Sequence, residues 1–251
     1  MHRGHGPVTR VMDRLKSSIR RIINAVGYDI VGYGAGNPRA RLARLLDRHG
    51  ITLVLDVGAN RGDFAWDMRE LGYRGRIISF EPLSQAFEVL AKRAERDGRW
   101  TALPIGVGDK TEERILNVAA NSQSSSLLPM LEAHAQAAPE SRYETQMSVS
   151  IRPLDEALRG LLNIDDRIFL KIDTQGYEKH VLDGASRTLA LAPLVLLECS
   201  LVALYDGALL IEDVIGYMRE RGYAPVDLTP TFHHAELAHL MQVDGLFARA
   251  E

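Results

Sequence analysis

The most informative stretch of this sequence is LVLDVGANRGDF, residues 53–64. An apolar run ends in Asp56, a glycine-containing turn follows, and a helix then begins. This pattern predicts a strand–turn–helix unit of an open α/β sheet. Gly58 permits a tight turn, and Gly62 permits close packing where the helix starts. A ligand bound by such a unit lies beyond the carboxyl end of the strand.

The same stretch argues against a dinucleotide ligand. The dinucleotide fingerprint requires glycine at positions 58, 60 and 63, and this chain has Asn60 and Asp63 at the last two. The carboxylate of Asp63 would repel a pyrophosphate at the start of the helix. Asp56, directly before the turn, suits instead a ligand that carries an ammonium group. An ordinary strand–turn–helix unit without a ligand is the alternative.

Apolar strand patterns alternate with helical patterns over the rest of the chain. We predict strands over 51–56, 76–81, 101–107, 167–173 and 193–199, with a closing pair near 223–228 and 243–249. Helices are predicted over about 8–26, 40–49, 62–72, 84–97, 177–191 and 208–221. Continuous apolar strands separated by helices indicate a parallel sheet covered on both faces. Two further strand patterns, 113–120 and 145–151, predict a small β insertion at about 110–152.

Composition and length limit the classes of protein to which this chain can belong. The chain has 251 residues, 46% of them hydrophobic and 25% charged, which excludes a disordered, collagen-like or disulfide-scaffold protein. It contains no apolar run of the ~18 residues that a membrane span needs. Residues 1–30 lack the apolar core of a secretory signal. The single cysteine, Cys199, fits a reducing compartment, so we expect a cytoplasmic protein.

The charge is distributed unevenly along the chain. Residues 1–50 carry a net charge of +7, and the other 201 residues therefore carry −10. We expect residues 1–50 to form an N-terminal helical extension and residues 51–251 to form the main domain. We expect the amphipathic helix over 8–26 to pack on the domain or on a second subunit, or to lie on an anionic inner membrane surface. Nucleic acid is disfavoured as a partner, because the main domain is acidic and only 6% of residues are aromatic.

A second acidic strand end identifies the ligand class. In SFEP, residues 79–82, Glu81 lies 25 residues after Asp56, near the roughly 20-residue offset of a carboxylate that holds ribose hydroxyls. In GVGD, residues 106–109, Asp109 is placed to accept from an adenine amino group. An adenosine-containing, phosphate-free ligand with an amine is S-adenosylmethionine. A solvated turn aspartate is the alternative for Asp109.

The densest motif is LKIDTQGYEKHVLDGA, residues 170–185. Lys171 and Asp173 share one face of a strand, and Asp173 lies at its carboxyl end, where open α/β sheets bind ligands. Glu198 ends the next strand, so we expect Asp173 and Glu198 to face one pocket. They either share a proton or ligate a hard cation such as magnesium, although the sequence lacks a tight acidic pair. A structural ion pair of Lys171 with Asp173 or Glu198 is the alternative.

The histidines and Cys199 offer weaker candidates. His233 and His234 lie in a late loop that could reach a substrate. His49 and His134 have the pattern of surface residues. No histidine flanks Cys199, so we expect a buried core thiol rather than a nucleophile.

Several of these motifs, in their order and spacing, resemble those of one known family. DVGANRG (56–62), SFEP, GVGD, IRPLDEAL (151–158), residues 170–185 and LLE (196–198) resemble the FkbM family of S-adenosylmethionine-dependent methyltransferases over about 51–249. The resemblance implies a Rossmann-like class I methyltransferase fold with a seven-stranded, mostly parallel sheet. It also implies O-methylation of a hydroxyl on a sugar, glycolipid or polyketide. One departure is that many members carry Val-Glu where this chain has Thr174 and Gln175.

These observations define a set of expected site residues. The cofactor is expected at Asp56, Gly58, Asn60, Gly62, Glu81, Pro82 and Asp109. The acceptor is expected at Gln175, Tyr177 and Glu198. For catalysis we expect Asp173 as the base, with His233, His234 and Lys171 as further candidates. A magnesium ion, if present, would be held by Asp173 and Glu198.

Three alternatives stay open at this point. A Rossmann-fold protein that docks to membranes or acts as a scaffold would explain the basic extension without catalysis. A nicotinamide-dependent oxidoreductase would share the sheet, although Asn60 and Asp63 disfavour it. A homodimer is open as well, because the apolar stripe of the N-terminal helix needs a covering surface.

Overall fold

The computed structural model describes residues 36–249. The chain divides into two units, Met1–Leu42 and Ala43–Glu251. In the first unit, the described residues contain the start of helix α1 (Pro38–Arg48), where the side chain of Asn37 accepts a hydrogen bond from the N–H of Ala40 at 3.1 Å. This is an ordinary N-terminal helix cap. The predicted helix over 8–26 lies outside the described residues, and the expected boundary near residue 50 stays a prediction.

Within the described part of the second unit, residues 43–249, ten strands and seven further α-helices follow. The strands are β1 (Leu53–Val57), β2 (Arg76–Phe80), β3 (Trp100–Leu103), β4 (Gly106–Gly108), β5 (Glu112–Ala119), β6 (Tyr143–Pro153), β7 (Ile168–Ile172), β8 (Leu194–Ser200), β9 (Tyr223–His233) and β10 (Leu240–Arg249). The helices are α2 (Asp63–Glu70), α3 (Ser84–Asp97), α4 (Glu132–Ala137), α5 (Leu154–Ala157), α6 (Glu178–Asp183), α7 (Ser186–Leu191) and α8 (Ile211–Glu220).

The large sheet has seven strands in the order β3-β2-β1-β7-β8-β10-β9. All neighbouring pairs are parallel except those of β10, which runs antiparallel to both β8 and β9. The expected α/β fold with a seven-stranded, mostly parallel sheet is therefore confirmed. Every residue of β1 and β7 is buried, as in central strands that have both faces covered.

The strand order reverses between β1 and β7. From β1 the chain builds outward through β2 and β3, and it then returns to the other side of β1. Just past the strand ends, the N–H of Asp173 donates to the carbonyl of Val57 at 3.1 Å. This is the expected switch point, where open α/β sheets bind their ligands.

The insertion forms a separate three-stranded sheet in the order β4-β6-β5. The two predicted insertion strands are β5 and β6, which pair antiparallel. The strand predicted over 101–107 was wrong as a single element, because β3 ends at Leu103 and β4 joins the small sheet. Pro104 lies at this break and has no N–H to continue the ladder of the large sheet.

The helix predicted over 177–191 is two short helices, α6 and α7, with Gly184 and Ala185 between them. The main apolar core lies between the large sheet and its covering helices and contains Cys199, which is fully buried as expected. Over residues 36–249, no helix is long and apolar enough to cross a membrane.

Candidate active site

A cavity of about 550 Å³ opens at the carboxyl ends of β1, β2, β7 and β8. That volume is within the usual range for a small-molecule site. Its wall includes residues from the turns after these strands, from the serine-containing loop 121–126 of the insertion, and from β9 and β10. The large sheet and the insertion therefore both contribute to one site.

The turn after β1 forms one end of the cavity. Gly58 has a φ of 73°, and a Cβ there would overlap the carbonyl oxygen of Asp173. Glycine is therefore needed where β1 and β7 end side by side. Asn60, with a φ of 47°, donates its N–H to Glu81 Oε2 at 2.7 Å, and its side chain reaches Ser122 Oγ at 3.3 Å. Three separate segments are thus joined at Asn60.

Gly62 has a packing role instead of the predicted ligand contact. Its φ is 85°, and a Cβ there would lie 2.7 Å from Trp100 Cη2 and 2.8 Å from Leu90 Cδ1. Gly62 is absent from the described residues that line the cavity. The sequence correctly indicated close packing at the start of α2, but the structure places Gly62 away from the ligand space.

Asp56 is not where the sequence led us to expect it. Its side chain is fully buried, does not line the cavity, and accepts a hydrogen bond from Ser79 Oγ at 3.1 Å. The ammonium of Lys171 lies 3.2 Å from Asp56 Oδ1, because the two residues are register partners on β1 and β7. The ammonium group that we expected Asp56 to meet is thus supplied by the protein itself. Burial raises the pKa of Asp56, and the charge of Lys171 opposes that rise.

Lys171 links the ends of β1 and β7. Its Nζ donates to the carbonyl of Gly58 at 3.0 Å and lies 3.5 Å from Asp173 Oδ2. Burial alone would lower the pKa of Lys171, but the carboxylates of Asp56 and Asp173 hold it above its ordinary value. A lysine with a raised pKa is a poor candidate for accepting a proton from a substrate. The structural ion pair, which was the alternative for Lys171, is therefore the arrangement present.

Glu81 and Pro82, which we expected to contact the cofactor, both line the cavity. Each oxygen of the Glu81 carboxylate accepts one backbone N–H, from Asn60 and from Leu83, both at 2.7 Å. A carboxylate has about four acceptor positions, so it can accept further bonds from a ligand. Burial raises the pKa of Glu81 to about 7.

Asp173, Gln175 and Glu198 meet at the other end of the cavity. Gln175 Nε2 donates to Asp173 Oδ1 and to Glu198 Oε2, both at 2.8 Å. The hydroxyl of Tyr205 donates to Gln175 Oε1 at 2.8 Å. The expectation that Asp173 and Glu198 face one pocket agrees with this geometry, but the sequence did not indicate that Gln175 lies between them.

The acidic end of the cavity also contains Asp244, which sequence reasoning missed. Asp244 is the register partner of Glu198 across β8 and β10. Burial, together with the carboxylates of Asp173 and Glu178, raises the pKa of Glu198 well above its ordinary value. Burial also raises the pKa of Asp244 to about 6. No local motif could have identified Asp244, because its place depends on the pairing of distant strands.

His134 was predicted at the surface and is instead 3% exposed in the cavity wall. Its ring meets Tyr205 edge-on at 5.1 Å and lies 5.6 Å from Phe232. Its Nδ1 is buried without a hydrogen-bond partner in the described part of the chain. Burial lowers the pKa of His134, so the ring is neutral near pH 7. The helix that carries it, α4, belongs to the insertion, for which the sequence showed only strands.

The other predicted histidines are not brought to the cavity. Thr231 and Phe232 line it, but His233 and His234 do not. His233 is the last residue of β9, where it pairs with Leu240 next to a register shift, and it is not part of the cavity wall. His234 lies at the β9–β10 turn, where its N–H donates to the carbonyl of His239 at 2.8 Å.

Asp109 and Tyr177 complete the predicted set. Asp109 lies 3.4 Å from Nδ1 of His180 and does not line the cavity, so the proposed contact with adenine has no support here. Tyr177 lines the cavity, and its ring stacks on His180 at 4.1 Å. Within residues 36–249, no group of three or more His, Cys, Asp or Glu side chains is arranged to hold a metal ion.

A known sequence family covers most of this site. The sequence profile described as the Methyltransferase FkbM domain matches residues 56–225. That range contains Glu81, Asp173, Gln175 and Glu198. A search of curated protein sequences gives no significant match.

Three solved structures with a partly similar chain path have methyltransferase in their names. One is methyltransferase FkbM from Methylobacillus flagellatus, with 17% identity and a TM-score of 0.49; the match covers 78% of this chain and 43% of that one. A putative RNA methyltransferase from Pyrococcus horikoshii shows 14% identity and a TM-score of 0.43, with 87% of each chain covered.

A third is 1,6-didemethyltoxoflavin-N1-methyltransferase from Burkholderia thailandensis, solved with S-adenosylhomocysteine. Its identity is 13% and its TM-score 0.42, with 100% of this chain and 94% of that one covered. Similarity at this level does not identify an acceptor. The present chain spans less than half of the Methylobacillus protein.

Proposed function

The chain belongs to the FkbM family of S-adenosylmethionine-dependent methyltransferases, and we propose that it methylates a hydroxyl oxygen of a sugar, glycolipid or polyketide-type acceptor. The observation that carries this proposal is the position of Asp173. Its carboxylate lines the cavity at the end of β7, 3.5 Å from Lys171 Nζ and 2.8 Å from Gln175 Nε2. A carboxylate held in this way can accept the proton of an acceptor hydroxyl.

The residues at the β1–β2 end of the cavity fit S-adenosylmethionine. Glu81 offers free acceptor positions for a ribose diol, and Pro82, Val107 and Leu116 provide apolar surface for an adenine ring. The backbone turn at Gly58 brings the chain close to this space without a side chain. When bound, S-adenosylmethionine supplies an electrophilic methyl group on a sulfonium, which is already a good leaving group.

The protein's own contribution is orientation and proton removal. The wall holds the acceptor so that its hydroxyl oxygen faces the methyl group. The two reacting atoms are then already oriented and close together, so the step no longer depends on a bimolecular encounter. An alcohol is a weak nucleophile, and a positioned base typically contributes about 10²–10⁴-fold to such a step. Asp173 takes the proton, while Lys171 and Gln175 hold its carboxylate in place.

The acidic residues at the Asp173 end of the cavity favour a neutral acceptor molecule. Asp173, Glu198 and Asp244 all line this end, and Lys171 is the cation described beside them. A phosphate group brought here would meet like charge in a poorly hydrated space. This supports a small-molecule or glycolipid acceptor over nucleic acid, which is densely charged.

The test is a search for the acceptor with the full chain. The protein is incubated with S-adenosylmethionine carrying a labelled methyl group and with a panel of neutral sugars, glycolipids and macrocyclic polyketides, alongside phosphorylated sugars and RNA. We expect label in a neutral hydroxylated compound, located on oxygen by mass spectrometry and NMR. Label on a nitrogen, or label only in RNA, would refute the proposed reaction.

A further inference from the structure

Every polar atom of the Gln175 side chain is used within the site. The two N–H groups of Nε2 face Asp173 and Glu198, and Oε1 accepts from Tyr205. Its backbone carbonyl accepts a hydrogen bond from Ser126 Oγ at 2.6 Å. A carboxyl oxygen without a proton can only accept a hydrogen bond, and the amide nitrogen of Gln175 is the donor to Asp173 Oδ1 and Glu198 Oε2. Gln175 is therefore held in one orientation from four directions.

The backbone of Gln175 is unusual as well. Its φ is 54°, in the left-handed region that non-glycine residues seldom adopt. Such a conformation persists where the surroundings hold it, and it is found often at functional sites. The following residue, Gly176, has a φ of 95° and lies against Tyr205, where a Cβ would be 2.8 Å from the Tyr205 Cβ. The turn thus brings an amide side chain between two strand ends.

We propose that Gln175 is a positioning residue whose amide bridges Asp173 and Glu198 in the place where paired carboxylates otherwise hold a divalent cation. Paired carboxylates take such a cation when oxygen ligands converge on one point. Here the point between Asp173 and Glu198, where a cation would bind, is occupied by the two N–H groups of the neutral Gln175 side chain. The amide relieves the repulsion between the acids and keeps Asp173 directed at the acceptor.

The inference rests on the proposed function only in assigning Asp173 as the base, and it is tested without any acceptor. The variant is Q175E, which has the same shape, loses both donors and places a third carboxylate between the other two. Binding of Mn²⁺ is measured by electron paramagnetic resonance, and thermal unfolding is followed with and without Mn²⁺.

We expect Q175E to melt at a lower temperature than the wild type and to bind one Mn²⁺ at least about tenfold more tightly, because a unit charge has been added at the convergence point. Mn²⁺ should then restore most of the lost melting temperature. Q175M, which removes the donors without adding charge, should be destabilised but not rescued. A residue with a merely structural role would not show this difference.

Gln123 offers a matched control, since it lines the same cavity and has no described contact with either acid. Q123E adds the same charge elsewhere in the wall and should gain no such Mn²⁺ affinity. The proposal is overturned if Q175E binds Mn²⁺ no more tightly than Q123E. It is equally overturned if the wild type binds Mn²⁺ as tightly as Q175E and loses that affinity in D173N.

If Q175E does not fold, the double variant Q175E/E198Q decides the question. It exchanges the amide and one carboxylate, so the number of charges stays as in the wild type. We expect it to fold and to bind Mn²⁺ no more tightly than the wild type does. A tenfold gain in this variant would contradict the proposal. Failure of the acceptor search would leave all of these results interpretable, because none of them depends on methyl transfer.

Discussion

Replacing Asp173 by asparagine tests the assignment of the base directly. D173N keeps the shape of the side chain and its ability to accept from Gln175 Nε2, now 2.8 Å away, but it cannot take up a proton. A positioned base contributes about 10²–10⁴-fold, which corresponds to about 2.7–5.4 kcal/mol of barrier at about 1.36 kcal/mol for each factor of ten. We expect kcat to fall within that range.

The fold should tolerate this change. Lys171 keeps its ion pair with Asp56 at 3.2 Å and its bond to the carbonyl of Gly58 at 3.0 Å. The lost pair with Asp173 involves a side chain that is 37% exposed, so solvent screening limits its contribution to about 0–1 kcal/mol. Asp173 follows β7, which is separated by β1 from β2, the strand that Glu81 follows. Stability and S-adenosylmethionine affinity should therefore change little.

The assay combines three measurements on the same preparation. Calorimetry gives the affinity for S-adenosylmethionine, urea unfolding gives stability, and labelled-methyl transfer to the identified acceptor gives kcat. D183N is the matched control, because Asp183 lies on α6 and pairs with Lys179. A D173N variant with wild-type kcat would remove Asp173 from the mechanism. A variant that lost cofactor affinity in parallel with kcat would show that Asp173 acts in binding and not as the base.

Three further substitutions test other parts of the site. E81Q should bind S-adenosylmethionine at least about tenfold more weakly, since a bond to a charged group contributes about 1.5–3 kcal/mol. The pKa of Glu81 is about 7, so calorimetry should show wild-type affinity falling as the pH drops from 8 to 6 and E81Q staying flat. H134F should keep the fold and gain up to about 1 kcal/mol in urea unfolding, because an unpartnered buried nitrogen is removed; a loss above that size would indicate a hidden partner for His134. G62A should cost about 2–4 kcal/mol in urea unfolding, because a Cβ would lie 2.7 Å from Trp100 in addition to the strained φ. Gly72, with a φ of 98° and open space around it, gives the control G72A, which should lose only about 1–2 kcal/mol; equal losses would contradict the packing role of Gly62.

The buried pair of Asp56 and Lys171 changes the meaning of the first motif. An aspartate before a glycine turn looks like a ligand contact when the sequence is considered alone. In the structure its charge is balanced within the sheet, and the same lysine then reaches Gly58 and Asp173. Asp56 therefore contributes to the site through Lys171. Removing one partner of such a pair would leave a buried charge uncompensated.

The acidic residues at strand ends were predictable, because their places follow from local sequence. A strand pattern fixes where its carboxyl end lies, and parallel strands bring those ends to one edge of the sheet. Glu81, Asp173 and Glu198 were expected at the cavity for this reason, and all three line it. The apolar run around Pro104 predicted one strand over 101–107, although proline has no N–H to continue a ladder.

The structure changes which histidines belong to the site. His233 and His234 were candidates because they lie in a late segment that could reach a substrate, but neither lines the cavity. His134 showed no local signal, since it lies in a short helix of the insertion. The insertion reaches the cavity through contacts such as Ser126 with Gln175, which join residues 49 positions apart.

The sequence by itself determined the α/β class, the switch point and the family, since each depends on short-range pattern and spacing. Only the tertiary structure decided what each polar side chain meets. Asp56 pairs with Lys171, Gln175 lies between Asp173 and Glu198, and Asp244 and His134 line the cavity. These outcomes depend on strand register and on the path of the insertion, which bring distant residues within 3–5 Å. Local propensity contains no information about such distances.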